Sequence, residues 1–98
     1  EGRQIVPQSW LAESLKVHSD LGGGRGYGYL WWMAEANAPG DALSTDWSIV
    51  YASGAGGQYI IIIKALDLVV VHRAADVDKG ISHARMRKIL RALLRAIA

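Results

Sequence analysis

Two aliphatic runs joined by three residues constrain this chain more than any other feature. Gly57 to Lys64 holds four consecutive isoleucines, and Leu68 to Arg73 holds Val69, Val70 and Val71. β-Branched residues in such density predict strands. Ala65-Leu66-Asp67 is too short for a parallel crossover, which needs about a dozen residues, so the two strands must be antiparallel neighbours. Upstream, Ser48 to Ser53 reads as a third strand. Gly54-Ala55-Gly56 then supplies a tight turn where glycine tolerates positive φ. These runs are continuous rather than alternating. An antiparallel sheet with one face in water alternates, so here both faces call for cover.

The C-terminal segment supplies cover for one of them. Ser82 is a suitable N-cap, and Met86, Ile89, Leu90, Leu93, Leu94 and Ile97 fall on one face of a helix. Arg85, Lys88, Arg91 and Arg95 lie largely elsewhere on it. One helix covers one face of a three-stranded sheet, so an apolar face is left over. Composition agrees, because 51% of the residues are apolar, at the upper end of ordinary usage. The N-terminal part reads as a short helix over 8–17, opened by Pro7, with an apolar stripe of Trp10, Leu11 and Leu15. Leu21 to Gly26 reads as a glycine-rich loop, Tyr27 to Met33 as an aromatic strand, and Ala34 to Asp46 as a loop around Pro39-Gly40. The expected architecture is α+β, one domain over residues 1–98. It has an antiparallel sheet of three to four strands, a short N-terminal helix, and a C-terminal helix packed on one face.

Most familiar chemistries find no footing. Gly22-Gly23-Gly24-Arg25-Gly26 and Gly54-Ala55-Gly56-Gly57 lead into strands, whereas phosphate-binding glycine loops lead into a helix. The chain has no Cys, and His18, His72 and His83 lack metal-ligand spacing, so no metal is expected. Ser53, Asp67 and His72 match a hydrolase triad in composition only. The basic residues of the last helix read as a solvated face, with no nucleic-acid partner implied. Apolar runs such as Tyr59 to Ile63 are far too short to span a bilayer, so no membrane association is expected. Tyr27, Tyr29, Trp31 and Trp32 form a cluster that reads either as core or as a pocket wall.

Three stretches carry a resemblance: Gly26-Tyr27-Gly28-Tyr29-Leu30-Trp31-Trp32, Ala52-Ser53-Gly54-Ala55-Gly56-Gly57-Gln58, and Leu66-Asp67-Leu68-Val69-Val70-Val71. In order and spacing they resemble the C-terminal part of the serine beta-lactamase-like, or penicillin-binding-protein-like, hydrolases. That family includes class C beta-lactamases, D-alanyl-D-alanine carboxypeptidases, esterases and 6-aminohexanoate-dimer hydrolases. The resemblance implies a partial beta-lactamase-like fold. It also implies a parent that hydrolyses a small-molecule amide or ester through an acyl-enzyme, without a cofactor.

Of the family's three motifs only the third has a counterpart, Ala52-Ser53-Gly54, with Ser53 at the Thr-like position and Gly54 at the Gly position. Ala52 departs from the family by replacing a cation, which points away from true beta-lactamases and toward an esterase, amidase or aminohexanoate-type relative. Lys64 departs as well, where relatives often carry Pro. No Ser-x-x-Lys occurs in the chain, so nucleophile and base are both missing. The implied reading is a C-terminal piece, inactive alone, whose N-terminal catalytic portion is absent. Ala52, Ser53 and Gly54 would line the parent's site, with Tyr27, Tyr29, Trp31 and Trp32 as its wall. The chain does not begin with Met, so periplasmic, secreted and cytoplasmic locations all stay open. The family places N-terminal strands beside the last strand. Without them, Leu68, Val69, Val70 and Val71 form an open edge, and the alternative reading is a non-catalytic module that self-associates there or through the uncovered face.

Overall fold

The computed structural model describes residues 2–41, 43–75 and 80–97. It is α+β, with one open antiparallel sheet and two helices. In chain order the elements are α1 (Gln8–Ser14), β1 (Ser19–Gly22), β2 (Arg25–Tyr27), β3 (Trp32–Ala34), β4 (Ile49–Gly54), β5 (Gln58–Ile63), β6 (Leu68–His72) and α2 (His83–Ile97). The six strands lie in sequence order, each antiparallel to the next. The sheet is therefore wider than the three to four strands expected from sequence.

The additional strands come from segments whose glycines read as loop. Gly23 and Gly24 adopt φ of 62° and 77° and form the turn of a hairpin between β1 and β2. The aromatic stretch Tyr27 to Met33 is not one strand either. Gly28 N–H donates to the Trp31 carbonyl at 2.8 Å, and Leu30 sits at φ 68°. The chain folds back there, and Tyr27 becomes the cross-strand partner of Trp32. Gly28 has no room for a side chain, because a Cβ would press on the Lys16 carbonyl at 2.8 Å. The helix over 8–17 is also shorter than expected. It stops at Ser14, whose carbonyl accepts from the Tyr29 N–H at 3.1 Å. Pro7 is its N-cap rather than a residue of its first turn. Trp10 and Leu11 remain exposed, and the helix buries Ser14 instead.

The three strands expected from the aliphatic runs are present, with no bound shifted by more than one residue. Their register decides which side chains are covered. Ile49 and Tyr51 of β4 share a face with Tyr59, Ile61 and Ile63 of β5 and Leu68 and Val70 of β6. That face forms the core with Met86, Leu90 and Leu94 of α2, together with Ala34, Ala38 and Leu43. Each fully buried large aliphatic side chain contributes about 1.5–3 kcal/mol. Ser82 caps α2, its Oγ accepting from the Arg85 N–H at 3.2 Å. A third of the helix stripe faces water, since Leu93 and Ile97 are exposed.

The opposite sheet face is apolar and largely open. Val50, Ile62 and Val69 form one cross-strand row, and Ala52, Ile60 and Val71 form the next. Val69 is 59% exposed and Val71 63%.

The turn joining β4 to β5 is Ala55-Gly56-Gly57, one residue later than expected, with Gly56 and Gly57 at φ 84° and 89°. A Cβ on Gly57 would overlap the Ile81 side chain, while one on Gly22 would meet nothing. Gly57→Ala therefore suffers both backbone strain and a clash, and should lose about 2–4 kcal/mol in urea denaturation. Gly22→Ala, also at positive φ, should lose only about 1 kcal/mol.

Candidate functional site

The alternation of β4 carries Tyr51 and Ser53 to the covered side of the sheet, beyond the end of the aliphatic core. Register places Ser53 opposite Tyr59. The Tyr59 hydroxyl lies 2.8 Å from Nδ1 of His83, the first residue of α2. A tyrosine hydroxyl both donates and accepts. With Nδ1 unprotonated, Tyr59 donates to His83. Burial pushes the Tyr59 phenol above its ordinary value, and the nearby Ser53 hydroxyl opposes that shift. Tyr59 is thus neutral at physiological pH and does not act as a base toward Ser53. His83 reaches Tyr59, not the serine. A serine flanked this way orients a ligand by hydrogen bonding rather than attacking it, because nucleophilic attack needs an adjacent base.

A second polar pair stands next to the first. Tyr51 donates to Asp41 Oδ2 at 2.8 Å, while Asp41 Oδ1 accepts the Leu43 N–H at 2.8 Å. Burial pushes the Tyr51 phenol strongly upward, and the hydrogen bond and negative charge of Asp41 add to that. Arg25 from β2 donates Nη2 to the Leu21 carbonyl at 3.2 Å and Nε to the Gly22 carbonyl at 3.3 Å. Between these groups lies a cavity of about 330 Å³. Leu21, Arg25, Trp32, Asp41, Tyr51, Ser53 and His83 line it. The volume falls at the lower end of small-molecule sites. The wall offers an indole, a phenol, an imidazole, a guanidinium, a carboxylate and the Ser53 hydroxyl.

The residues singled out from sequence are divided by the fold. Ser53 and Trp32 line this cavity. Ala52 points to the open face. Ala52 and Gly54 line a shallower cleft of about 410 Å³ with Ser53, Gln58, Ile60, Val71, His72 and Arg73. Tyr27 packs edge-on against Trp32 at 4.6 Å. Tyr29 turns away, stacking on His18 at 4.3 Å and lying 5.5 Å from Trp10, and Trp31 is half-buried in the β2–β3 turn. The aromatic cluster therefore does not form a single wall.

Ser53, Asp67 and His72 do not assemble. Asp67 precedes β6 and His72 ends it, about 16 Å away at 3.3 Å per residue. His72 Nδ1 instead meets the Gly57 carbonyl at 2.8 Å. Among the described residues no cluster of His, Asp and Glu is placed to hold a metal, and no helix is long and apolar enough to cross a membrane. A larger hollow of about 590 Å³ lies under the β1–β2 hairpin, and Ala52, Ser53 and Gly54 do not line it.

Arg25, Asp41, Tyr51 and His83 are polar cavity residues that sequence reasoning missed. Asp41 is ten residues from Tyr51, and His83 is 24 from Tyr59. No local pattern links residues so far apart. No protein-family profile, no curated protein and no solved structure matches the chain.

The raised phenols give a pH signature. An unfolded tyrosine loses its proton near pH 10, before Tyr51 or Tyr59 does in the folded chain. Above that pH the folded state binds more protons than the unfolded state, so stability falls as pH rises. It is unaffected by these groups at neutral pH. Phenolate absorbance titrations comparing Tyr51→Phe and Tyr59→Phe with the parent chain should assign the two latest-ionising phenols to these residues. The Tyr51→Phe chain should also lose less stability between pH 9 and about pH 11.

Proposed function

We propose that this chain is the C-terminal part of a serine hydrolase of the beta-lactamase-like family, whose parent cleaves an ester or amide through an acyl-enzyme. One observation carries the reading. The third-motif counterpart Ala52-Ser53-Gly54 occupies the end of β4, and Ser53 opens onto a polar cavity walled by Trp32. The succession of β4, glycine turn, β5, short turn, β6 and terminal helix agrees with the family's order. Ser53 would orient the substrate beside the nucleophile, which the parent's Ser-x-x-Lys would supply. Ala52 leaves the motif without its cation, which favours an uncharged ester or amide over a substrate held by its carboxylate. The described chain has no base-activated serine, so its own part in the reaction is substrate orientation.

Two measurements test this. The 98-residue chain should hydrolyse neither nitrocefin nor p-nitrophenyl acetate above a heat-killed control. The reading frame upstream should contain Ser-x-x-Lys. In the protein expressed with it, Ser53→Ala should lower kcat/KM for p-nitrophenyl esters about 10–100-fold. Turnover by the short chain, or an upstream frame without the motif, would overturn the reading.

A second reading is favoured by one feature of the sheet: a non-catalytic module that self-associates. Val69 and Val71 on the terminal strand are more than half exposed, where burial would contribute about 1.5–3 kcal/mol each. Val70 belongs to the opposite face and packs on the core, so a charge there reports on folding. Val71→Lys is the informative substitution. It should leave the circular dichroism spectrum unchanged and shift light-scattering mass toward the monomer.

A further inference from the structure

We propose that β6 pairs with β6 of a second copy, antiparallel about a two-fold axis at Val70, and so joins two six-stranded sheets edge to edge. The proposal rests on the self-association reading and specifies its register.

The two sheet edges are built differently. β1 carries a register irregularity between Asp20 and Gly22, and the Asp20 carboxylate folds back to accept the Gly22 N–H at 2.9 Å. Bulges and charges of this kind block strand addition. β6 has neither device. Its register to β5 is unbroken from Tyr59↔His72 to Ile63↔Leu68, and Leu68–His72 includes no Asp, Glu, Lys, Arg, Pro or Gly. Among the described residues, nothing pairs with its outer side. An unblocked, apolar, regular edge is a template for one more strand.

The flanking charges select the strand's own copy as that partner. In a two-fold antiparallel pair centred on Val70, each residue meets the one equally distant on the other side. Val70 faces Val70, Val69 faces Val71, and Leu68 faces His72. One step further, Asp67 faces Arg73. The only charged residues immediately flanking the strand, one of each sign, are thus brought together at both ends of the junction. Both are exposed. Val69 and Val71, the two most exposed residues of the strand, become direct cross-strand neighbours. A centre shifted by one residue would misalign both charges and separate the valines. Two-fold closure leaves no free β6 edge, so assembly stops at the dimer.

Sedimentation velocity on the 98-residue chain at micromolar concentration tests this. A dimer is expected, and one that weakens as salt is raised. Arg73→Glu sets two acids against each other at both ends, and Asp67→Lys sets two bases. Each variant alone should weaken dimerisation about tenfold. Mixing the two should restore it. In the mixed dimer the introduced lysine meets the introduced glutamate at one end, and the native Asp67–Arg73 pair forms at the other. Asp67 adopts φ 50°, which a lysine tolerates poorly. If Asp67→Lys is unfolded by circular dichroism, Asp67→Asn keeps the backbone and replaces it. Heterodimers of Asp67→Asn with Arg73→Glu should then exceed Arg73→Glu homodimers. A monomer at every concentration would overturn both the pairing and the self-association reading. Dimers indifferent to these substitutions, or unrescued by mixing, would overturn the pairing alone.

Discussion

Everything in this fold depends on three aliphatic strands being covered by a single helix. β4, β5 and β6 present apolar side chains on both faces, and α2 buries only the face that includes Tyr51, Ile61 and Ile63. That packing orients the sheet, fixes its inner and outer sides, and leaves Ile60, Val69 and Val71 without cover. The open face and the open edge are two consequences of one shortage. A lone helix has one apolar stripe, and a sheet has two faces.

The polar cavity follows from the same arrangement. Where α2 begins, the aliphatic core gives way to Tyr51 and Tyr59, and their hydroxyls need partners once removed from water. His83 at the start of the helix supplies one, and Asp41 from the loop after β3 supplies another. The helix terminus is held near the β4–β5 turn, where Gly57 leaves room for Ile81. Core packing and site assembly are therefore coupled: the residues that dock α2 also set His83 against Tyr59. Both phenols stay neutral because they are buried, which suits them to orient a ligand and not to take its proton.

Legibility differed sharply along the chain. The β4–β5–β6 meander and α2 could be read directly, because β-branched runs and a 3.6-residue stripe are strong local signals. The N-terminal half could not. Its glycines read as loop, yet Gly23 and Gly24 turn a hairpin, and Leu30 in the left-handed region breaks the aromatic stretch in two. Strands of three and four residues are too short to show periodicity. They exist because neighbouring strands satisfy their backbone. Tyr27 and Trp32, read as neighbours along one strand, instead meet across two. Ser53 stood out in sequence, whereas Arg25, Asp41 and His83 came to the cavity from separate elements.

Local composition thus dictated the antiparallel aliphatic strands, the amphipathic terminal helix and the surplus of apolar surface, since each follows from side-chain volume, branching and spacing along the chain. It dictated equally that no Ser-x-x-Lys is present in these 98 residues. Tertiary structure decided the rest: which face α2 covers, that the sheet has six strands, and which distant polar groups share a cavity. Those outcomes depend on register and on contacts between residues ten or more apart. A one-residue change of register would exchange the two faces of every strand.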